Sequence, residues 1–189
     1  EGAYMRRKCA AMMASLLCVL LILAAGGCGE SVQTFNNLTD YAAQQGHMGW
    51  SYLFGTVNFQ PTFMTYNAYS GCYNSTVTSV VGAEWKPHQN EDIILRFESP
   101  KSGKASVHCT VNLMQIQRTD DDGVLFSVYG RDTGKALTEM SLTGNGEESA
   151  AEEKLSVQLK KGDFLYFVLN AGYVSDNDLT HVDITVTFA

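Results

Sequence analysis

The apolar residues of this chain alternate with polar ones over several stretches, and this alternation restricts the fold more than any other feature. In the closing run HVDITVTF, apolar side chains occupy every second position from Val182 to Phe188. The runs DIILRFES (92–99), ASVHCTVNL (105–113) and KLSVQLK (154–160) contain the same period. A period of two is typical of β-strands that have one buried and one solvent-facing side.

Turn-forming residues separate these runs at near-regular intervals. They are Pro100–Gly103, Asp122–Gly123, Thr133–Gly134, Gly144–Gly146 and Lys161–Asp163. The run FLYFVLN is apolar on both sides, which predicts a central, well-covered strand. Because no long amphipathic helix interrupts the pattern, we expect an all-β fold, an antiparallel β-sandwich.

The composition is that of one globular domain with an added amino-terminal segment. The chain has 189 residues, of which 45% are hydrophobic and 17% charged, so it can bury a core without a metal or a disulfide cage. Its formal net charge is −7, and no lysine or arginine cluster follows the first ten residues. Nucleic-acid binding requires a clustered basic surface, so these charges exclude a nucleic acid as partner.

The amino-terminal segment MRRKCAAMMASLLCVLLILAAGGCGE, from Met5, has the layout of an export signal. A basic stretch precedes an apolar run through Ala25, and small residues follow, ending at Cys28. The ending LAAGGC resembles the lipobox of bacterial lipoproteins, in which the cysteine is lipidated and becomes the mature terminus. It departs from the usual form in having Ala25 three residues before the cysteine, where leucine is common.

These features predict three parts: a signal peptide over 1–27 with a lipobox ending at Cys28, a polar linker over 28–48 and a folded domain over 49–189. They imply a protein that is exported and held on the bacterial cell membrane by a lipid anchor, facing the exterior. A plain secretory signal or an uncleaved transmembrane anchor is the alternative for the same segment.

Several motifs follow one another in a recognisable order over about residues 50–189. They are WKPH at Trp85–His88, DIILRFESPKSGKASV, DDDGVLFSVYGRDTGK, LKKGDFLYFVLN and HVDITVTF. This order resembles the β-jelly-roll modules of bacterial carbohydrate-active and cell-surface proteins. The resemblance implies a jelly-roll sandwich after the signal segment and, by analogy, contact with a glycan.

No sequence motif for catalysis is present. The chain lacks a G-x-S-x-G nucleophile elbow, an H-E-x-x-H helix, a phosphate-binding glycine loop and a metal-binding Cys/His spacing. Glycoside hydrolysis needs two carboxylates that face each other, and nothing in the sequence pairs any two of its acids. We therefore expect a protein that is not an enzyme.

Aromatic and amide residues provide the candidate binding site. The candidates are Trp50, Tyr66, Asn67, Tyr69, Tyr73, Asn74 and Trp85. Flat rings beside amide groups suit the apolar faces and hydroxyl rims of sugars. The alternative is that the aromatics belong to the core, which is favoured for Trp50 and Trp85 because tryptophan is largely buried on average.

Two further sets of residues have more than one interpretation. Cys72 and Cys109 could form a disulfide in an oxidising compartment, but Cys109 lies at an apolar position of a strand, where a free thiol packs as a small hydrophobe. Asp120 and Asp121 could contribute to a structural Ca²⁺ site, although calcium needs six to eight oxygens from separate places. The simpler interpretation is that Asp122–Gly123 forms a turn and the two preceding carboxylates are solvated. No other cofactor is expected.

Together these observations predict a non-catalytic, lipid-anchored extracellular protein that binds a ligand, foremost a glycan. The alternative is a structural or protein–protein interaction module at the cell surface, adhesin-like or C1q/TNF-like, since the latter folds share the L-x-x-GD pattern seen at Leu159–Asp163. The partner would then be a cell-surface protein.

Overall fold

A computed structural model describes residues 31–58, 60–114, 122–143, 149–174 and 178–189. The chain divides into two units, Glu1–Ser31 and Val32–Ala189, and every strand described below belongs to the second. The signal-like segment with Cys28 lies outside the described residues, as do Asp120 and Asp121. In the part of the chain that the structure describes, no helix is long and apolar enough to cross a membrane.

Fourteen strands are present among the described residues. They are β1 (Gln33–Asn36), β2 (Trp50–Gly55), β3 (Thr62–Phe63), β4 (Thr65–Asn67), β5 (Cys72–Asn74), β6 (Ser79–Val81), β7 (Glu84–Lys86), β8 (Asp92–Glu98), β9 (Gly103–Leu113), β10 (Val124–Tyr129), β11 (Ala136–Leu142), β12 (Ser149–Leu159), β13 (Phe164–Asn170) and β14 (Thr180–Phe188).

These strands form two antiparallel sheets. The first has the order β12-β9-β14-β7-β6-β5-β4, with β1 paired to β14, and the second has the order β11-β10-β13-β8-β2-β3. From β7 to β14 the chain crosses between the sheets at every connection except the β10–β11 hairpin. Repeated crossing of this kind is the jelly-roll topology, so the predicted all-β antiparallel sandwich is confirmed.

The predicted alternation accounts for the core between the sheets. Val182, Ile184, Val186 and Phe188 of β14 are fully buried. Opposite them in the second sheet lie aromatic side chains, including Trp50, Phe97, Phe126 and Phe167, whose rings are 4.8 to 6.5 Å apart in successive pairs. Burial of large apolar side chains of this kind is the main contribution to the stability of such a fold.

Strand β13 is central, as the run FLYFVLN predicts, since it lies between β10 and β8. Its outward residue Val168 belongs to a small apolar cluster with Leu53 and Ile94, on the side of the second sheet that faces away from the core. Val57, from the connection after β2, packs against this cluster. Cover on both faces explains why the run is apolar throughout.

The segment predicted as a linker over 28–48 belongs to the folded domain from Val32 onward, and this is a correction; residues 28–30 lie outside the described residues. Residues Gln33–Asn36 pair along β14, and Phe35 is buried with its ring centroid 5.2 Å from that of Phe97. Strand β1 is only four residues long and has one buried apolar side chain, so local periodicity cannot reveal it. The pairing depends on a strand about 150 positions further along the chain.

Candidate functional site

The two tryptophans are core residues. Trp50 and Trp85 are buried, which fits the alternative interpretation of these side chains and removes them as ligand contacts. The ring nitrogen of Trp50 donates to Asp40 Oδ2 at 3.4 Å, and its ring centroid lies 4.8 Å from that of Phe97. Each occupies an inward position of its strand, which is the reason for its burial.

The three candidate tyrosines do not form one flat platform, and this is a second correction. Tyr73 is fully buried, stacked on Tyr52 at 4.3 Å, and its hydroxyl donates to the Ala42 carbonyl at 2.7 Å. Tyr66 lies opposite Tyr73 in the β4–β5 pairing and meets it edge-on at 5.2 Å. Tyr69 is fully exposed in the loop that joins these two strands. One tyrosine thus faces solvent alone.

The buried tyrosines stay neutral over the physiological range. Burial raises the pKa of Tyr73 to about 12, with a further contribution from Tyr66. Burial raises the pKa of Tyr41 to about 12 and raises that of Tyr52 further still. The Tyr41 hydroxyl bonds the carbonyls of Gly71 and Val80, at 2.9 and 3.1 Å, so it anchors the β4–β5 hairpin.

An open groove of about 450 Å³ lies beside that hairpin, within the range of known ligand sites. Its lining residues come from the ends of β2 and β5, from β3 and β4, and from the turn after β5: Phe54, Thr62, Phe63, Thr65, Asn67, Asn74, Ser75 and Thr76. Strand β3 ends the second sheet and β4 ends the first, and buried Met64 joins them. The groove therefore follows the line where the chain passes from one sheet to the other.

The polar groups of the groove are partly committed and partly free. Asn67 Oδ1 accepts from the backbone N–H groups of Tyr69 and Ser70, which holds the hairpin loop and leaves its amide NH₂ without a partner among the described residues. Within the same residues, the hydroxyls of Thr62, Thr65 and Thr76 make no hydrogen bond. The groove thus offers donors and acceptors that are not used by the fold.

One rim of the groove is held rigidly. The Ser75 hydroxyl donates a hydrogen bond to the carboxylate of Glu91. That carboxylate also accepts a hydrogen bond from the hydroxyl of Thr78 at 3.1 Å. Ser75 Oγ in turn accepts from the backbone N–H of Val77 and of Thr78. A turn with this many internal bonds holds its side chains in place before a ligand arrives.

Phe63 supplies the exposed ring of the groove. Half of its surface is accessible, whereas Phe54 packs against the core. Sequence reasoning missed Phe63, Thr62 and Thr65, because their strands are two and three residues long and show no period. The candidates Asn67 and Asn74 both line the groove, because both lie in the short β4–β5 hairpin, and a binding role for them stays a prediction.

Both candidate disulfide cysteines are free thiols and are buried. Cys72 lies 2.7 Å from Ser70 Oγ and accepts from Asn74 Nδ2 at 3.1 Å. Cys109 packs in the core of the first sheet, and burial raises the pKa of its thiol to about 12. This agrees with the interpretation of Cys109 as a small hydrophobe.

Asp122 and Gly123 lie directly before β10 and approach two other parts of the chain. Gly123 has a φ of 77°, and a side chain there would meet the backbone at Leu142. The Asp122 carboxylate accepts hydrogen bonds from the backbone N–H groups of Tyr173 and Val174, at 2.7 and 3.1 Å. These bonds connect the start of β10 with the loop after β13. The calcium prediction for Asp120 and Asp121 concerns residues outside the described ranges and stays a prediction.

The described part of the chain contains a small group of ionisable side chains on the outer side of the first sheet. Among the described residues, no three His, Cys, Asp or Glu side chains are close enough to hold a metal ion. On the outer side of the first sheet, Glu152 pairs with His108 at 2.8 Å and with Lys154 at 2.6 Å. These hydrogen bonds, that of Lys154 first, lower the pKa of Glu152.

No protein-family model matches the chain, and no curated protein matches it significantly. Among solved structures, it is similar to the C-terminal family 6 carbohydrate-binding module of a marine laminarinase from Zobellia galactanivorans, with 14% identity over 55% of this chain and 86% of that one, at a TM-score of 0.31. A family 35 carbohydrate-binding module from Clostridium thermocellum has 12% identity over 85% of this chain and 94% of its own, also at 0.31.

A third similarity is to the secreted serine protease VesC from Vibrio cholerae, with 17% identity over 58% of this chain and 22% of that one, at a TM-score of 0.34. Scores and identities at this level do not transfer a function to this chain. The fold is defined by the strands and their pairing.

Proposed function

We propose that this protein is a non-catalytic binding protein of the cell exterior, and that the groove beside the β4–β5 hairpin binds a glycan. The observation that carries the proposal is the groove itself, whose lining combines the exposed Phe63 ring with the Asn67 amide group and three threonine hydroxyls that have no partner among the described residues. Sugars present apolar C–H faces to rings and hydroxyls to such groups.

Export and a lipid anchor at Cys28 complete the proposal. The basic, apolar and small-residue order of the amino-terminal segment supports them. A polymer outside the cell can reach an open groove at the edges of both sheets without entering a closed pocket. Such access suits long glycan chains better than small metabolites.

The test is a glycan array probed with the full chain in detergent, in parallel with Phe63→Ala and Asn67→Ala. We expect each variant to weaken binding about fivefold to tenfold, because each removes one ring or amide contact. The matched control is Tyr173→Ala, which removes an exposed ring that does not line the groove. Absence of glycan binding by the unchanged protein, or an equal loss in the control, would contradict the proposal.

The second candidate function is a protein-interaction module, and strand β12 favours it. This strand is eleven residues long and ends the first sheet, with β9 as its paired neighbour among the described residues. An end strand of this length offers backbone groups to which a partner's strand can add. This function would be favoured if no glycan on the array binds the chain and a cell-surface protein binds to it at strand β12.

A further inference from the structure

Arg96 lies on the side of the second sheet that faces away from the core. Its neighbours in β8, Leu95 and Phe97, point into the core, so Arg96 points outward. In the pairing it stands directly opposite Tyr166 of β13 and Ser51 of β2, and residues directly opposite share one face. Arg96 is half-buried there.

Two aromatic rings frame its guanidinium group. The central carbon lies 4.6 Å from the ring centroid of Phe164 and 5.3 Å from that of Phe63. These rings come from β13 and β3, which lie on opposite sides of β8. The small, buried Ser51 on the intervening β2 lets the long side chain pass over it towards Phe63. Rings at these distances hold a guanidinium in place by cation–π attraction.

The charge of Arg96 has no acidic partner among the described residues. Its contact with Ser51 Oγ is long, at 3.5 Å, and its Nε is buried without a hydrogen bond within those residues. Glu98 shares the outward side two positions along and is exposed, but no ion pair joins the two. A partly desolvated guanidinium without an anion is costly, so an arrangement of this kind suits an external anion.

Phe63 connects this guanidinium with the groove. The same ring lines the groove and frames Arg96, so the two lie around one exposed side chain. An acidic substituent on a sugar ring that packs against Phe63 would lie within reach of the Arg96 guanidinium. Arginine presents a planar fork of N–H donors that matches a carboxylate or a sulfate with two parallel bonds.

We infer that the groove prefers acidic glycans and that Arg96 binds their carboxylate or sulfate group through this fork. The inference rests on the proposed function and specifies the class of glycan. It also explains why Phe63 is held against a cation while half of its surface remains open to solvent.

The experiment measures binding of the full chain in detergent to polygalacturonate, dextran sulfate and neutral dextran. We expect at least one acidic polymer to bind about tenfold more tightly than dextran, and Arg96→Gln to remove that difference. Arg131→Gln, which removes the same charge from an exposed turn, should change affinity less than about twofold. The carboxylated and sulfated polymers separate the two sources of the anion.

Arg96→Lys keeps the charge and removes the fork, so it tests the geometry if the glutamine variant fails to fold. We expect it to lose about threefold or more of the affinity for the acidic polymer. Equal binding of acidic and neutral polymers, or full affinity in either Arg96 variant, would overturn the inference. Binding of neutral glycans that depends on Phe63 would leave the proposed function intact, whereas absence of all glycan binding would refute both.

Discussion

Tyr52 and Tyr73 stack on each other in the core, but only one of their two hydroxyl groups has a hydrogen-bond partner among the described residues. The Tyr73 hydroxyl donates to the Ala42 carbonyl at 2.7 Å. The Tyr52 hydroxyl is buried and has no hydrogen-bond partner among the described residues. At the residue scale, therefore, two similar side chains in contact make different contributions to stability, because a buried polar group costs free energy unless it is paired.

This difference leads to a matched pair of substitutions. Tyr73→Phe should lower the free energy of unfolding by about 1 kcal/mol, since it leaves the Ala42 carbonyl without its donor. Tyr52→Phe should leave the free energy unchanged or raise it, because it removes an unpaired hydroxyl. Urea denaturation followed by tyrosine and tryptophan fluorescence measures both. Equal destabilisation by the two substitutions would show that the hydroxyl contacts are wrongly assigned.

At the scale of elements, the short strand β1 is held by a side chain as much as by its own pairing. Asn37, directly after the strand, is fully buried. Its Nδ2 donates to the Val182 carbonyl at 3.0 Å and its Oδ1 accepts from the Ile184 N–H at 2.6 Å. Its own N–H also donates to the Ile184 carbonyl at 3.1 Å. The amide thus continues the ladder with β14 where the backbone of β1 turns away.

Asn37→Ala tests whether this segment belongs to the domain. It removes partners from two buried backbone groups of β14, so we expect the free energy of unfolding to fall by about 2 to 3 kcal/mol. The control Thr34→Ala alters an exposed side chain of β1 and should cost less than about 0.5 kcal/mol. Thermal and urea unfolding of both variants measures the difference. A neutral Asn37→Ala would mean that the segment behaves as the linker that its composition suggests.

At the scale of the whole molecule, burial determines how stability depends on pH. The pKa values of Tyr41, Tyr73 and Cys109 are each raised to about 12 by burial in the folded protein. In the unfolded chain they deprotonate near their ordinary values, so the folded state retains more protons at alkaline pH. The contribution of these protonated groups to the free energy of unfolding is therefore complete at neutral pH. It is lost as the pH rises towards 12.

We expect the free energy of unfolding to fall steadily from about pH 9 to about pH 11, with little change between about pH 7 and about pH 8. Urea denaturation at a series of pH values measures this slope. Tyr41→Phe removes one of the linked protons, so its slope should be smaller, although its stability at neutral pH is lower through loss of the bonds to Gly71 and Val80. A slope identical to that of the unchanged protein would contradict the assignment of Tyr41.

The groove is a feature of the whole molecule, because residues from several strands and a turn line it. Its lining comes from the ends of two sheets and from a turn that Glu91 holds in place. Arg96 contacts the Phe63 ring of the groove only because β3 and β13 bring their rings to either side of β8. In the sequence Arg96 is one polar residue of the alternating run DIILRFES, with nothing to distinguish it from Glu98.

The sequence by itself determined the class of fold and most of the core. Alternation is a local property, because the pleat of a strand sends successive side chains to opposite sides. It therefore predicts the burial of Val182, Ile184 and Val186, the apolar position of Cys109 and the central place of the run FLYFVLN. The layout of the amino-terminal segment is local in the same way.

Only the tertiary structure decided which of the aromatic residues face solvent. Tyr66, Tyr69 and Tyr73 lie within eight residues of one another, yet one is exposed, one is partly covered and one is buried. The outcome depends on which sheet edge the hairpin joins, and that edge is formed by residues far away in the chain. Contacts between distant strands do not appear in a local pattern, so the groove, Phe63 and Arg96 could be found only once the two sheets were in place.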